Sequence, residues 1–419
     1  MGFSFIHTSD IHLGRSFSDL SVFTDKMNIC NEACFKAFSN IINLAIKNQV
    51  DFVLIAGDSF DSEEKDLQSK IIFIKNLKKL ADNGIKSFVI CGNHDSVNSF
   101  KQNFNYFNFD EKYKDMINIV GVTTDDYHHV FNYNDVANIH AISFENDESE
   151  DPTKILSKIK PNNNVFNIGL IHCDLDKTSS KYAPCTRENL KKLGYDYYAL
   201  GHIHIPQEFD NIVYSGSPQG RTKKETGEHG CYLIQADDNK NITKKFIPTD
   251  SVRFTNLELD CSSYNDALEV FDGITELVNN SSTEDIELNL FKINLIGITD
   301  SFKDLSQNNL LKEYIISHGE NEFNNTAVYE ITNKTIPNIN EKEIENDNGI
   351  IGIINNISKD KEEFYKNTIE LHKNMYKQLN IKSDLKNELL NSLNENKEEL
   401  LEKVQNEIKS LCKELYSME

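Results

Sequence analysis

Residues 195–204 of the chain read YDYYALGHIH. The apolar run through Leu200 predicts a buried β-strand. Gly201 follows, and a glycine at a strand end lets the backbone turn sharply and lets another group approach closely. His202 and His204 are separated by one residue, so their imidazoles can reach two neighbouring points, which suits a pair of metal ions better than one. Taken alone, such a segment is more often a pair of surface histidines after a strand.

Further apolar strands end in the same way, in side chains that are typical metal ligands. These side chains are Asp10 and His12 after residues 3–8, Asp58 after residues 51–56, Asn93 after residues 85–91, and His172 after residues 164–171. Ordinary turn or core residues could explain any one of these strand ends. The repetition at five strand ends, counting that of Gly201, predicts a shared metal site.

Helical patterns separate the first three of these strands. Apolar residues share one face of residues 28–47, and a second amphipathic pattern spans residues 66–83. The alternation of strand and helix predicts parallel βαβ units in an α/β sheet. Because functional sites in such sheets lie beyond the carboxyl ends of the strands, we expect the ligands to meet at one edge. Later apolar runs at residues 212–217 and 231–234 are predicted to close a second sheet.

The composition indicates a cytoplasmic protein of two or three domains. The chain has 419 residues and 38% hydrophobic content, which is enough for a substantial core. It contains no run of about 18 apolar residues, so neither a transmembrane helix nor membrane association is expected. The N-terminus lacks the features of a signal peptide. The eight cysteines are scattered without a CxxC pair and are interpreted as reduced core thiols.

The net charge of the chain argues against unspecific DNA binding. Lys and Arg total 44 and Asp and Glu total 66, which gives a formal net charge of −22 at pH 7. Proteins that bind DNA over a wide surface are usually basic. Some of the acidic residues must therefore bind metal or lie away from the substrate, as in the acidic stretch at residues 340–347. The sequence contains no GxxxxGK[ST] segment and hence no P-loop.

The strand-end segments resemble the five sequence blocks of calcineurin-like metallophosphoesterases. The blocks are Asp10-x-His12, Gly57-Asp58, Gly92-Asn93-His94-Asp95, His172 and Gly201-His202-x-His204. Within that superfamily, residues 7–14, 196–204 and 214–217 are most similar to the SbcD-type DNA exonucleases. Residues 182–185, 220–221 and 225–228 are similar to the YhaO-type branch of that group. The resemblance covers about residues 3–240 and implies an α/β fold with a two-sheet αββα core.

The resemblance also implies a binuclear metal site. Phosphodiester hydrolysis at neutral pH needs a hydroxide and neutralisation of charge at phosphorus, and two metal ions about 3.5–4 Å apart provide both. The family pattern implies one ion with the ligands Asp10, His12, Asp58 and His204, and a second ion with Asp58, Asn93, His172 and His202. Nitrogen and oxygen ligands suit Mn²⁺, Fe or Zn²⁺, and the resemblance favours two Mn²⁺ ions.

Two further residues have catalytic roles in the pattern that the resemblance implies. His94 is expected to contact the phosphate and to protonate the leaving oxygen, and Asp95 to orient His94 by a hydrogen bond. A supporting position beside the ligands is the alternative for His94. The archaeal and eukaryotic relatives place His where this chain has Asp61, and bacterial relatives often place Asp there. The role of Asp61 is left open.

The pattern changes after residue 248, and the predicted domains are residues 1–248, 249–336 and 337–419. The second is a small α+β unit, which in SbcD-like proteins caps the active site and selects DNA; a structural appendage is the alternative. The third is a helical tail with an apolar stripe at three- and four-residue steps. The stripe comprises Leu385, Leu389, Leu393, Leu400, Leu401, Val404, Ile408, Leu411 and Leu415. It is expected to pack on residues 364–379 or on another protein, and the resemblance implies an SbcC-like coiled-coil ATPase.

The sequence is therefore interpreted as a binuclear-metal-dependent DNA exonuclease, with endonuclease activity as a further expectation. It would act in double-strand-break repair or end processing, as a homodimer and with the ATPase. The alternatives are a phosphatase or small-nucleotide phosphodiesterase on the same site, and a scaffold for an ATPase with a vestigial site. The complete ligand set argues against the scaffold, and the capping unit and tail argue against a minimal phosphatase.

Overall fold

The fold is described from a computed structural model. It covers residues 2–15, 17, 26–61, 67–104, 110–177, 179–307, 309–318, 325–339, 342, 344, 346–347, 349–378 and 397–418. The chain divides into two compact units. The first unit comprises Met1–Thr255, Thr283–Leu290 and Asn324–Tyr329, and the second comprises Asn256–Ser282, Phe291–Phe323 and Glu330–Glu419.

The strands and helices are labelled here in chain order. The strands are β1 (Phe3–Thr8), β2 (Phe52–Ala56), β3 (Lys86–Ile90), β4 (Ile117–Ile119), β5 (His128–Tyr133), β6 (Ala137–Ile142), β7 (Phe166–His172), β8 (Tyr197–Gly201), β9 (Gln207–Phe209), β10 (Ile212–Tyr214), β11 (Gly230–Ala236), β12 (Ile242–Pro248), β13 (Val252–Asp260), β14 (Leu288–Ile296), β15 (Ile298–Thr299), β16 (Thr326–Asn333) and β17 (Ile336–Pro337). The α-helices are α1 (Met27–Lys47), α2 (Leu67–Asp82), α3 (Val97–Phe104), α4 (Thr153–Leu156), α5 (Arg187–Leu193), α6 (Ala267–Ser281), α7 (Phe302–Gln307), α8 (Leu310–His318), α9 (Ile350–Lys359), α10 (Lys361–Gln378) and α11 (Lys397–Met418).

The first sheet has the strand order β12–β11–β1–β2–β3–β4. Strands β1 to β4 are parallel, because helices connect β1 to β2 and β2 to β3, whereas β11 runs antiparallel to β1. Helices α1 and α2 cover one face with side chains spaced three or four residues apart, among them Phe38, Ile42 and Leu77. The predicted parallel βαβ units are confirmed.

The second sheet has the order β5–β6–β7–β8–β10–β9 and packs face to face with the first. Aromatic and aliphatic side chains from both sheets fill the space between them, as Phe5 and Phe52 do from one side and Tyr197 from the other. Helices α4 and α5 cover the outer face of the second sheet through Leu156 and Leu190. The predicted two-sheet αββα core is therefore confirmed.

One strand lies in a different sheet from the one expected. Residues 231–234 belong to β11, which pairs with β1 in the first sheet, and only the run at residues 212–214 joins the second sheet. Pairing of β11 places Ile234 opposite Phe5 and directs it into the core between the sheets. The choice of partner strand is a long-range packing decision that a local apolar pattern does not contain.

The remaining part of the chain contains helices and short sheets. Asp266 caps the N-terminus of helix α6, because its side chain accepts hydrogen bonds from the amides of Leu268 and Glu269. Strands β13, β14 and β16 form a three-stranded sheet, and β15 pairs with β17. None of the described helices is long and apolar enough to cross a membrane.

The tail helix α11 packs on α9. Cys412 of α11 and Ile351 of α9 share a small core with Ile344, and Ile408 packs against it. The expected neighbour was residues 364–379. Their described part, in helix α10, contributes no residue to this core, although Lys397 of α11 lies over the ring of Tyr365 in α10. Leu411 and Leu415 of the stripe are 51% and 39% exposed. Leu385, Leu389 and Leu393, and the side chain of Leu400, lie outside the described part of the chain.

Candidate metal centre

The predicted ligands lie at the carboxyl ends of β1, β2, β3, β7 and β8, in the first unit. Backbone hydrogen bonds tie the loops after β1 and β2 together: the amide of Asp10 donates to the carbonyl of Gly57, and that of His12 to the carbonyl of Asp58. The strand-end loops are thus held against one another before any side chain contributes. This arrangement brings ligands that are up to 194 positions apart, Asp10 to His204, to one edge of the fold.

Four of the predicted ligands have a backbone conformation that residues other than glycine rarely adopt. The φ angles are 51° at Asp10, 47° at His12, 51° at Asp58 and 104° at His202. Such conformations cost free energy and persist where surrounding structure enforces them, commonly at functional sites. The loops are therefore shaped to direct these side chains rather than for local stability.

Three ligands form what we call the His204 side: Asp10, His12 and His204. Nε2 of His12 lies 4.0 Å from Oδ1 of Asp10 and 3.7 Å from Oδ2 of Asp58. Nε2 of His204 lies 3.9 Å from Oδ1 of Asp10. These separations are too long for hydrogen bonds, although the atoms point toward a common space. Atoms that surround one metal ion without contacting one another are spaced in this way.

Three other ligands form the His172 side: Asn93, His172 and His202. Oδ1 of Asn93 lies 3.0 Å from Nε2 of His172 and 3.1 Å from Nδ1 of His202. Nε2 of His172 is also 3.5 Å from Oδ2 of Asp58. Asp58 therefore lies between the two sides, within 4 Å of an imidazole of each. The structure brings all seven predicted ligands together.

The second nitrogen of each imidazole faces a group that can fix its tautomer. On the His172 side, Nδ1 of His172 is 2.9 Å from the carbonyl oxygen of Ala56, so Nδ1 carries the proton and Nε2 is free to ligate. Nε2 of His202 lies 3.6 Å from Oδ2 of Asp174. The group that faces each ring nitrogen indicates which nitrogen carries the proton.

On the His204 side, the corresponding groups are carboxylates. Nδ1 of His204 is 2.6 Å from Oε1 of Glu225. Nδ1 of His12 lies 3.7 Å from Oδ2 of Asp61, and Asp61 in turn forms an ion pair of 2.9 Å with Arg15. The geometry thus places Asp61 behind His12 rather than among the ligands.

Two glycines at the site are required by the space available. A Cβ on Gly92 would lie 2.2 Å from Oδ1 of Asp58, and a Cβ on Gly201 would lie 2.0 Å from the carbonyl oxygen of Ala56. The close approach that the sequence predicted for Gly201 therefore exists. It allows strand β8 to lie against β2 where His172 is anchored.

The buried polar groups of the site fit divalent metal ions. His12 is fully buried, and neither of its ring nitrogens has a hydrogen-bond partner in the part of the chain that the structure describes. A buried imidazole without partners is costly unless another species satisfies it. Carboxylate oxygens, an amide oxygen and imidazole nitrogens are together a donor set for Mn²⁺, Fe or Zn²⁺.

The pKa values of the acids reflect their crowding. Burial, then the charges of Asp95 and Asp10, raises the pKa of Asp58 well above its usual value. Burial would also raise the pKa of Asp10, but the charges of His172 and His204 outweigh it and the pKa is lowered. Bound cations would favour the ionised form of both carboxyl groups.

The pKa values of the imidazoles favour ligation as well. Burial lowers the pKa of His202 to about 4, and His172 contributes in the same direction. Burial, followed by the charge of Arg221, lowers the pKa of His12 well below its usual value. Neutral imidazole is the form that binds metals, so both side chains are held in the ligating form at neutral pH.

His94 and Asp95 occupy different environments. The His94 side chain is about one-third exposed beside the ligands, and its Nδ1 lies 3.9 Å from Oδ1 of Asp61. Asp95 is buried and accepts hydrogen bonds from the backbone amides of Gly92 and Ser59, at 2.6 and 2.7 Å. These bonds fix the loops after β2 and β3. The orientation of His94 by Asp95 remains a prediction, and Asp61 is a second carboxylate in reach of that role.

Sequence reasoning did not identify Asp174, Arg221 and Glu225 as site residues. Arg221 and Glu225 lie in two of the segments that carry the YhaO-like resemblance, which is the signal that could have indicated them. Their contact with His204 depends on how the loop after β10 folds back. Asp174 follows His172 by two residues, within the same strand-end loop.

Comparisons with known proteins agree with the fold. Residues 3–206 match the family model described as calcineurin-like phosphoesterase, and this range includes every predicted ligand. The uncharacterized metallophosphoesterase YhaO of Bacillus subtilis is 28% identical over 64% of this chain and 65% of that protein. The DNA double-strand break repair protein Mre11 of Sulfurisphaera tokodaii is 28% identical over 51% of this chain and 53% of that protein.

The SbcD component of the nuclease SbcCD from Staphylococcus saprophyticus is 27% identical over 63% of this chain and 73% of that protein. The matches to the YhaO and Mre11 proteins thus span about half to two-thirds of their length. The similarity does not extend over either whole protein.

Proposed function

We propose, from the match of residues 3–206 to the calcineurin-like phosphoesterase family model, that this chain is a binuclear-metal-dependent DNA nuclease of the SbcD type. It hydrolyses phosphodiester bonds as an exonuclease, with endonuclease activity as a further expectation. Its role is double-strand-break repair or end processing. The YhaO-like branch is the proposed position within the group, and Mn²⁺ is the proposed metal.

The observation that carries the proposal is the convergence of seven ligands around two adjacent positions. Asp58 lies between them, 3.7 Å from Nε2 of His12 and 3.5 Å from Nε2 of His172. Two bound ions would supply a hydroxide and offset negative charge at phosphorus. A structural metal site would be closed to substrate, whereas here His94, His202 and His204 are partly exposed.

Residues of the chain then have distinct tasks. His94 stands at the exposed margin and can pass a proton to the leaving oxygen, a task that suits a group partly open to substrate. Burial lowers the pKa of His94, opposed by the charge of Asp61. Asp61 can orient the His94 ring, while Asp95 holds the backbone of the two loops between which His94 emerges.

Named relatives support nucleic acid as the substrate, and net charge supports a second candidate. The Mre11 and SbcCD relatives are named as a repair protein and a nuclease. The formal net charge of −22 opposes a long polyanion, and it favours a small-nucleotide phosphodiesterase as the second candidate. A scaffold with a vestigial site is disfavoured because no ligand position is substituted.

One assay separates these functions. Labelled duplex DNA, single-stranded DNA and a small phosphodiester are incubated with the protein and Mn²⁺, with EDTA and the Asp58→Ala variant as controls. Cleavage of DNA that requires Mn²⁺ and Asp58 supports the nuclease. Cleavage of the small phosphodiester alone indicates the second candidate. Two bound metal ions without cleavage of any substrate indicate the scaffold.

Partners and domains belong to the same proposal. Residues 1–248 form the nuclease domain, residues 249–336 select DNA as a capping domain, and residues 337–419 bind an SbcC-like coiled-coil ATPase. The protein acts as a homodimer in the cytoplasm. Buried free thiols at all eight cysteines are compatible with that compartment.

The tail provides a test of the ATPase interaction. Leu411 and Leu415 are one helical turn apart and exposed, whereas Leu401 and Cys412 on the same helix are buried. Helix-in-groove recognition uses apolar anchors at such spacing. Leu411→Ser with Leu415→Ser should therefore abolish pull-down of the ATPase and ATP-stimulated cleavage, while basal cleavage persists. Full-strength pull-down by this variant would place the contact elsewhere, and Leu401→Ser is the control for loss of folding.

A further inference from the structure

The loop between β10 and β11 buries an unusual number of polar side chains behind His204. They are Ser215, Ser217, Gln219, Arg221, Glu225 and His229, each at most 9% exposed. Arg221 is among the largest fully buried side chains, at 2% exposure. Burial of a guanidinium is costly unless its charge is paired. The pair to Arg221 is Glu225, whose Oε1 lies 3.8 Å from Nη2.

Both charged side chains reach the same atom. Nδ1 of His204 lies 2.6 Å from Oε1 of Glu225 and 3.1 Å from Nη2 of Arg221. A ring nitrogen makes one such bond: it donates if it carries the proton and accepts if it does not. Arginine can only donate, and an ionised carboxylate can only accept. The two neighbours therefore demand opposite tautomers of His204.

The tautomer that His204 adopts decides whether it can bind a metal. If Nδ1 donates to Glu225, Nε2 keeps its lone pair and faces Asp10. If Nδ1 accepts from Arg221, Nε2 carries the proton and cannot ligate.

The structure favours Glu225 in this competition. Its second oxygen, Oε2, accepts hydrogen bonds from the backbone amides of Arg221 and Thr222, at 2.8 and 3.1 Å, which hold the carboxylate in place. The contact of Oε1 with Nδ1 of His204, at 2.6 Å, is also shorter than that of Nη2 of Arg221, at 3.1 Å. Nε and Nη1 of Arg221 have no hydrogen-bond partner within the described residues.

We propose that Glu225 is a positioning residue that fixes His204 in its metal-binding tautomer, and that Arg221 is a competitor held in check by Glu225. The inference rests on the metal-binding part of the proposed function. It adds a consequence that a simple supporting contact does not have. Removal of Glu225 leaves Arg221 free to impose the wrong tautomer, so the damage should exceed the loss of one hydrogen bond and should be relieved by removing Arg221 as well.

The test uses the full-length chain with histidine labelled by ¹⁵N. The variants are Glu225→Ala, Glu225→Gln, Arg221→Met and the double variant Glu225→Ala with Arg221→Met. Glu228→Gln is the matched control, because Glu228 lies in the same loop, is exposed and contacts Arg253 instead. The readouts are the tautomer of His204 in metal-free protein, from the ¹⁵N shifts, and Mn²⁺ binding by titration.

In wild-type protein, Nδ1 of His204 should carry the proton. Glu225→Ala should move the proton to Nε2 and weaken the binding of one of the two Mn²⁺ ions roughly 10–100-fold. The double variant should recover most of that loss, and Arg221→Met should bind both ions as wild type does. Glu225→Gln should retain the Nδ1 proton, since its amide oxygen can accept the same bond.

Several results would contradict the proposal. An unchanged tautomer in Glu225→Ala, or a double variant no better than Glu225→Ala, would overturn the competition. If Glu225→Ala does not fold, Arg221→Met decides: loss of Mn²⁺ in that variant contradicts the proposal. Wild-type protein that binds no metal would refute the proposed function, whereas the tautomer of His204 would still be measured in metal-free protein.

Discussion

The two sides of the metal centre are held by different kinds of structure. On the His172 side, the backbone carbonyl of Ala56 fixes the ring of His172, and strand β2 fixes that carbonyl. On the His204 side, the carboxylates of Glu225 and Asp61 stand behind His204 and His12. The ring of His172 thus depends on strand pairing, whereas His204 and His12 depend on charged side chains that loops supply. The contact of His202 with Asp174 on the His172 side is also of the second kind.

This difference shows where each side is vulnerable. A backbone carbonyl cannot be removed by substitution, so the ring of His172 should respond mainly to steric change. The carboxylates can be removed singly, so the His204 side should respond to changes of charge and hydrogen bonding. Substitutions chosen on each side can break this distinction or sharpen it.

The largest effect is expected from Asp58→Ala, because Asp58 belongs to both sides. Loss of its carboxylate removes the group within 4 Å of imidazoles on each side. Both metal ions should be lost and Mn²⁺-dependent cleavage should fall to background. Metal analysis of anaerobically purified protein should give near two equivalents for wild type and near none for the variant. Retention of one ion would show that one side binds metal without Asp58.

The next largest effect is expected from His94→Ala, which lies outside the ligand set. The variant should retain both metal ions, yet cleavage should fall roughly 10²–10⁴-fold, which is the usual contribution of a general acid. Single-turnover cleavage with saturating Mn²⁺ measures this loss. Cleavage at the wild-type rate would exclude His94 as the proton donor. A matching loss in Asp61→Asn, with both metal ions still bound, would assign the orientation of His94 to Asp61.

The side held by strands is also the side that sequence reasoning could describe. Strand β2 is a continuous apolar run and β7 is mostly apolar, and the position of the ligand at the end of each is a matter of local spacing. The ligands Asp58 and His172 could therefore be predicted to meet at one sheet edge. The φ of 51° at Asp58 and the narrow space at Gly201 occur at the ends of these strands.

Long-range contacts account for what could not be predicted. Glu225 reaches His204 across 21 positions through a loop without repeating structure, so no periodicity indicates it. Asp95 was assigned to the His94 ring from the family resemblance, although its hydrogen bonds run to backbone amides such as that of Ser59. The tail stripe likewise indicates an apolar face but not its contacts: Ile408 packs against the core shared with α9, whereas Leu411 and Leu415 are exposed.

A steric substitution tests the side held by the backbone. In Gly201→Ala, the added Cβ would lie 2.0 Å from the carbonyl oxygen of Ala56 and 2.9 Å from Nδ1 of His172. Overpacking of this kind costs about 1–3 kcal/mol, and here we expect the upper end because a backbone atom must move. The variant should also bind one Mn²⁺ ion more weakly. Chemical denaturation and Mn²⁺ titration measure the two effects.

Gly194→Ala is the control for that substitution. Gly194 has φ of 73° and no atom within 4 Å of an added Cβ, so the change introduces backbone strain without a clash. It should cost about 1–2 kcal/mol and leave both metal ions bound. Equal metal loss in the two variants would mean that general destabilisation, and not the Ala56 carbonyl, governs the His172 side.

The smallest expected effect at neutral pH concerns His7, which lies beneath the site on β1. Its Nε2 is 3.2 Å from the carbonyl oxygen of Leu200, in the strand that leads to His202, and its Nδ1 is 3.0 Å from the hydroxyl of Tyr197. Burial lowers the pKa of His7 from 6.5 to about 3. Between these pH values, the unfolded chain binds a proton at this residue that the folded chain does not, so stability falls as the pH is lowered.

His7→Gln removes that titration while keeping a side chain that can form hydrogen bonds. Relative to the variant, wild-type protein should lose up to about 1.4 kcal/mol more of unfolding free energy per pH unit below 6.5. Denaturation in EDTA from pH 6.5 to 4.5 measures the difference, in which other histidines cancel because both proteins contain them. Parallel pH profiles would mean that His7 is protonated in the folded protein as it is in the unfolded chain. The contact of His7 with strand β8 would then be polar and open to water.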